Sequence, residues 1–275
     1  MRHSILALAL LAATMSPITA SSSEAIGHEA KMFRVCADPN NMPFSDQKGE
    51  GFENKIAVLI AHDLGETPSF IFQRQTDNFL DRGLKAHLCD VVMGVPAALD
   101  DVGVTKPYYA STYVFVTRGL QLSSLKDPRL RWLRIGVHLV GDEPTPPAEA
   151  LGREGIVDNV KGFMISGGDY AKPNPPARLI EAVSSKTIDA AAVWGPVGGY
   201  FAKAAPVALT VTPIIDTQSF APLAFQFAIA VGVRKEDTAL RARLDHALAQ
   251  EHNTIRTLLQ SYGVPLVSPR GLSND

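Results

Sequence analysis

The sequence predicts an α/β protein of two lobes, each a mostly parallel sheet flanked by helices, joined by two hinge crossings. Three observations carry this. Short apolar runs alternate with amphipathic helical patterns along most of the chain, as expected of parallel strands joined by crossover helices. The alternation comes as two series, the second opening after Asp127-Pro128. A last strand and a long helical pattern follow, too few elements for a further domain, so this tail is expected on the first sheet. Composition agrees: of 275 residues 46% are hydrophobic and 20% charged, which excludes disorder. The 26 basic residues against 28 acidic ones give no basic footprint for nucleic acid.

The elements follow in order. Arg2 and His3 precede nine apolar residues, 5–13, then Pro17 and the small Thr19 and Ala20. Residues 1–20 therefore read as a secretory signal peptide cleaved near Ala20, and the run falls short of the ~20 residues that span a bilayer. No later segment is long and apolar enough to span one either. Residues 21–31 form a polar linker. A strand at 33–38 and a loop at 39–51 lead into a helix carrying Phe52, Ile56, Leu59, Ile60 and Leu64 at helical spacing, stopped by Gly65. A strand at 69–73 follows, then a short helix capped by Asp77 with Phe79, Leu80, Leu84 and Leu88, and strands at 89–95 and 113–117. The second series runs through a strand at 133–139, a helix from Pro146, a strand at 162–165, a helix from Pro175, a strand at 188–194, a Gly-rich turn with a short helix, and a strand at 207–211. A strand at 225–233 precedes one long helix capped by Asp237, which carries Leu240, Leu244, Leu248, Ile255, Leu258 and Leu259 up to Gly263. Lobe 1 is thus 32–117 plus 223–275 and lobe 2 is 118–222. The crossings near 117–119 and 220–223 set a ligand cleft between them.

Cys36 and Cys89 are the only cysteines. Export into an oxidising compartment favours a bridge between their candidate strands, two buried free thiols being the alternative. Motifs of enzymatic chemistry are missing: the chain has no Gly-x-Ser-x-Gly elbow, His-Glu-x-x-His pair, phosphate loop or dinucleotide fingerprint. The seven histidines are scattered; His62, His246 and His252 fit exposed helix faces, and His138 ends a strand. Asp100-Asp101 and Asp142-Glu143 are loop pairs that do not by themselves make an oxygen cage. No metal, cofactor or catalytic residue is expected.

Specific runs carry a resemblance. Arg34-Val-Cys-Ala-Asp-Pro-Asn-Asn-Met-Pro-Phe44-Ser45, followed by Gly51-Phe52-Glu53 opening a helix, resembles the first lobe of bacterial type II periplasmic solute-binding proteins. Lys106-Pro-Tyr-Tyr109 before a strand and the strand at 225–234 before the terminal helix keep that family's order. More narrowly, Cys89-Asp-Val-Val-Met-Gly-Val-Pro96, Ile135-Gly-Val-His138, the two Pro-Pro loops and Val193-Trp-Gly-Pro196 resemble the MxaJ/XoxJ type, the branch encoded beside pyrroloquinoline quinone (PQQ) methanol dehydrogenases. The resemblance covers about residues 32 to 265.

Departures from the family bear on the ligand. Amino-acid-binding relatives place an arginine shortly after the third strand to fork onto the ligand's carboxylate. Here residues 96–105 contain none, and Trp194-Gly195-Pro196 stands where relatives place an acidic residue for the amino group. An amino acid ligand is therefore not expected. Gly141-Asp142 leads to Pro146-Pro147 and Gly168-Asp169 to Pro175-Pro176, so proline opens both helices and weakens them as anion sites. Asn41, Phe44, Pro96, Tyr108, Tyr109, Tyr170 and Trp194 are expected to line the cleft. The resemblance implies a non-catalytic periplasmic accessory factor for maturation or activation of a PQQ-dependent methanol dehydrogenase, the lanthanide-dependent type included, with a peptide or protein segment in or near the cleft. The alternatives are the receptor of an ABC transporter for an apolar or cofactor-like molecule and, behind it, a dehydratase-type enzyme.

Overall fold

One eleven-stranded sheet runs through both lobes. The structure, a computed structural model, describes residues 31–140, 143–164 and 174–268. The signal peptide, the linker up to residue 30, Tyr170 and the Gly141-Asp142 and Gly168-Asp169 loop starts lie outside the described residues.

The first lobe opens with β1 (Met32–Ala37), the small hairpin β2 (Asn40–Asn41) and β3 (Ser45–Asp46), helix α1 (Phe52–Asp63), then β4 (Thr67–Phe72), β5 (Val91–Pro96), β6 (Gly103–Val104) and β7 (Tyr109–Thr117). The second lobe holds β8 (Ile135–Val140), β9 (Glu143–Pro144), α2 (Pro146–Arg153), β10 (Val160–Met164), α3 (Ala177–Ser184), β11 (Ala190–Trp194), α4 (Gly195–Ala204) and β12 (Thr210–Pro213). The chain then returns through β13 (Gln226–Val233), α5 (Thr238–Gln250) and α6 (His252–Ser261).

β1 lies parallel between β4 and β5, and β8 parallel between β10 and β11. Runs such as Val91-Val92-Met93 and Ala190-Ala191-Ala192-Val193 are buried because helices cover both faces of the sheet. One core gathers Phe33, Phe52, Ile56 and Ile60 with Leu244, Leu248, Ile255 and Leu259 of the C-terminal helices, which places the tail on the first sheet. A second, on the other face, surrounds the disulfide with Phe79, Leu84, Val95 and Val102. The second lobe has a core on each face as well.

β7 joins the lobes. Its residues Tyr109–Thr112 pair antiparallel with β13, and from Tyr113 to Thr117 it pairs with β11 and β12. Every residue of this strand is buried except Tyr113, at the change of partners.

Several elements differ from the sequence expectation. The single helix expected from Asp237 is two, kinked at Glu251, which lets the stripes of α5 and α6 reach the same core. Asp237 makes no cap bond, because Arg234 holds its carboxylate at 2.6 Å. The helix expected from Asp77 is reduced to a short, wide π-helical turn at Asp81–Lys85, leaving Leu88 about half exposed at 51%. Gly83 explains the distortion: a β-carbon there would overlap the Gln73 amide and crowd Cys36 Sγ, so the turn is pressed onto the bridge. β12 begins three residues later than expected, and β7 starts four residues earlier. Cys36 and Cys89 are joined, their Cα atoms 5.5 Å apart, because β1 and β5 are neighbours in parallel register.

Candidate functional site

The cleft is built on the ends of β1, β5 and β11 and on β7 and β13 where they cross between lobes. Asp38 follows β1, and its two carboxylate oxygens accept from the amides of Asn40 (2.8 Å) and Gln75 (2.7 Å). Ser45 Oγ donates to its carbonyl at 2.8 Å. The 39–50 loop is thereby folded back on the start of α1, where the amides of Phe52 and Glu53 donate to the carbonyls of Pro43 and Phe44, each at 2.9 Å. Gly51 is required, since a β-carbon would overlap the Phe44 carbonyl. The Phe44 ring then stands edge-on to Phe52, 5.3 Å between centroids.

Two cavities open from this framework. The smaller, about 140 Å³, is lined by Asp38, Asn41, Phe44, Glu53, Tyr109 and Trp194, among others. The larger, about 370 Å³, is more apolar and includes Pro96, Tyr113, His138, Trp194 and Phe227. Both share Gln75, Gly94, Trp194 and Ile229, so Trp194 is the wall between them. Trp194 ends β11 opposite Tyr113 of β7, and the rings of Tyr113, Trp194 and Phe227 meet pairwise edge-on at 5.4, 5.7 and 6.5 Å. Among the described residues neither cavity is lined by a lysine or arginine.

Glu53 is the unusual group. It sits in the first turn of α1, opens only partly to the cleft, and its carboxylate takes no hydrogen bond or ion pair from the described residues. Burial pushes it up to about 8, so it holds its proton at neutral pH. Gly94 makes the room: in β5 it adopts a left-handed backbone (φ 76°), and a β-carbon there would overlap Glu53 Oε1. The hydroxyls of Tyr108 and Tyr109 are raised well above their ordinary value, first by burial and then by the charge of Glu53.

His138 lies inside β8 rather than at its end, and is buried. Burial lowers the imidazole to about 3, and a backbone contact at Pro176, too poorly aligned to satisfy either ring nitrogen, opposes this only in part. His62, His246 and His252 are exposed.

The structure brings Asn41, Phe44, Tyr109 and Trp194 to the smaller cavity, and Pro96 and Trp194 to the larger. Tyr108 lies behind Tyr109 in the first-lobe core, its ring 5.1 Å from that of Tyr109. Sequence reasoning missed Glu53, Gly94, Tyr113 and Phe227. For Glu53 a signal existed: it falls three, four and seven residues before Ile56, Ala57 and Ile60, on the buried stripe of α1.

A sheet shared by two lobes with a cleft at the strand ends defines a two-lobed type II periplasmic binding protein. A family model, bacterial extracellular solute-binding proteins, family 3, matches residues 33–264. Protein MoxJ of Methylorubrum extorquens is 32% identical over 281 residues, covering 95% of this chain and 92% of that protein. The crystal structure of periplasmic binding protein XoxJ from Methylobacterium extorquens AM1 is 31% identical, covers 86% of this chain and 99% of its own, and superposes with a TM-score of 0.71. That of MxaJ from Methlophaga aminisulfidivorans MPT is 25% identical, with a TM-score of 0.76 and coverage of 86% and 100%. The chain belongs to family 3 of the bacterial extracellular solute-binding proteins, in its MxaJ/XoxJ-type branch. Membership makes it a periplasmic protein, and among the described residues no helix is long and apolar enough to cross a membrane.

Proposed function

We propose that this chain is a non-catalytic accessory factor that assists maturation or activation of a PQQ-dependent methanol dehydrogenase by holding a peptide or protein segment in the cleft between its lobes. The observation that carries this reading is the cleft's chemistry within the MxaJ/XoxJ branch. Among the described residues it offers no basic side chain to a ligand's carboxylate, and its larger cavity is floored by Tyr113, Trp194 and Phe227. Aromatic surface of this kind suits the buried anchors of a protein contact better than a small charged solute. Catalysis finds little support: Glu53 is a buried proton donor, but Asp38 beside it has both oxygens occupied.

Affinity capture of the tagged protein from periplasm tests this, and a methanol dehydrogenase subunit should come with it. Trp194→Ala should weaken that association about 30-fold, the equivalent of ~2 kcal/mol for an interface aromatic. An unchanged association in a folded variant removes the cleft from the contact, and undiminished growth on methanol after gene deletion removes the partner. One observation favours a second reading: 370 Å³ of apolar cavity lies in the range of small-molecule sites, which fits the receptor of an ABC transporter for an apolar or cofactor-like molecule. Capture of a permease in place of the dehydrogenase would establish it.

A further inference from the structure

The end of the second lobe remote from the cleft carries a surface that the cleft does not use. β8, β10 and β11 run parallel and start there at Ile135, Val160 and Ala190, and β7 ends there with Thr117 opposite Ala190, so a full strand length separates it from Trp194. Two loops form its tip. The turn Pro128–Arg131 before β8 buries Leu130, and the loop 154–159 before β10 buries Ile156, both in the second-lobe core. The Asn159 side chain fastens one loop to the other by donating to the carbonyls of Leu130 and Leu133, and the Ile135 amide donates to the Asn159 carbonyl. Held on these anchors, Trp132 is 87% exposed and Val157, on the adjoining loop, 63%. Scattered exposed aliphatic side chains are ordinary, but Trp132 is the most exposed large apolar side chain among the described residues, on a loop fastened so that the indole stays in water.

Unbalanced charge surrounds the pair. Arg129 and Arg134 are neutralised by Asp127 and Asp189. Arg118 and Arg131 donate instead to the backbone carbonyls of Ser184 and Glu154, and like the exposed Lys161 and Lys186 they meet no carboxylate among the described residues. These four cations face two unpaired carboxylates at the tip, Glu154 and Asp158, which leaves it two charges positive in a chain of net charge -2.

We propose that this tip is a reversible docking site for an anionic phospholipid surface, with Trp132 seated in the headgroup layer, Val157 beside it, and Arg118, Arg131, Lys161 and Lys186 facing the lipid phosphates. An indole settles at a membrane–water interface, and each basic side chain adds an attraction to anionic lipid that reaches about a Debye length, ~10 Å at 0.1 M salt. A protein surface fits worse. A stable protein contact buries about 800 Å² a side and seats its aromatic anchor in a dry pocket. Here two side chains stand proud on loop tips amid hydrated charge, a shape that a fluid headgroup layer accommodates and a rigid surface does not. One ring and four charges without a lipid chain anchor weakly, so the protein exchanges between membrane and periplasm. The cleft opens at the other end of the lobe and stays free while the tip is docked, so the inference does not depend on what the cleft holds.

Flotation of the protein purified from periplasm with phospholipid vesicles tests this. Vesicles of phosphatidylglycerol and phosphatidylcholine in equal parts should carry the protein upward at low ionic strength, vesicles of phosphatidylcholine alone should not, and salt at about 0.5 M should remove the difference. Trp132→Ser should lower the partition coefficient about tenfold or more, and Arg131→Gln about fivefold, the equivalent of one basic contact. Both positions are exposed, so both variants should melt with the wild type, which verifies their fold. Lipids brominated in the upper acyl chain should quench indole emission in the wild type, and this quenching should vanish in Trp132→Ser, which keeps Trp194. Equal partition of wild type and folded Trp132→Ser, equal partition onto the two lipid compositions, or no partition at low salt overturns the proposal. In that last case, weaker capture of the dehydrogenase by Trp132→Ser assigns the tip to a protein contact, while capture by the wild type, read separately, still tests the function proposed above.

Discussion

Replacing Glu53 by glutamine should change how stability depends on pH, and the sign follows from its burial. An acid raised from 4.5 to about 8 keeps its proton in the folded chain while the unfolded chain sheds it, so stability is fully present below 4.5 and is lost as pH rises toward 8. At 1.36 kcal/mol per pH unit, the wild type should lose at most about 4 kcal/mol between pH 5 and pH 8 through this group. Water admitted to the cavity beside it lowers that figure, which is why it is a ceiling. Glu53→Gln keeps the shape and removes the titration. The variant should match the wild type near pH 5 and exceed it at pH 8, by roughly 8–16 °C in melting temperature at the full value. Every other titrating group is shared, so the difference between the two melting curves against pH isolates Glu53. Calorimetric melts at pH 5, 6, 7 and 8 provide it. Parallel curves across this range would refute the reasoning, because they would mean that Glu53 is ionised and solvated in the native protein.

Three further outcomes are expected. His138, lowered to about 3, refuses a proton that the unfolded chain accepts below pH 6.5, so between pH 6.5 and pH 5 the wild type should lose about 2 kcal/mol that His138→Leu retains; equal acid slopes in melts of the two would contradict its burial in neutral form. Free-thiol counting on denatured, unreduced protein should find about none, and the Cys36→Ala, Cys89→Ala double variant should lose roughly 4 kcal/mol in denaturant titration, as closure of a 53-residue separation implies. Gly94→Ala should cost about 2 kcal/mol or more, because it combines a left-handed backbone with a methyl group overlapping Glu53; an unchanged denaturation midpoint would show that β5 relaxes there freely.

Periodicity made the fold legible and hid the site. The stripes of α1, α5 and α6 and the apolar runs of β1, β5, β11 and β13 are local patterns, and each strand and helix answers to burial on one side or both. Trp194 was legible because it ends a strand, where clefts form in α/β folds, with Gly195 and Pro196 after it leaving the indole uncrowded, and Phe44 and Tyr109 because the family's order placed them. The kink at Glu251 was not, since neither proline nor glycine marks it and the leucine spacing continues through it. Tyr113 was read as one residue of an ordinary strand. What exposes it is that β7 changes partners there, from β13 to β11 and β12, a consequence of which distant strands pair and not of anything within residues 109–117. Glu53 shows the limit most directly. Its spacing placed it on the buried stripe, yet an acid at the start of a helix has an ordinary explanation in the helix dipole, so nothing local asked for another. Only Gly94 of β5, the absence of a partner among the described residues and the three rings around the same space single that residue out, and each comes from a different element of the fold.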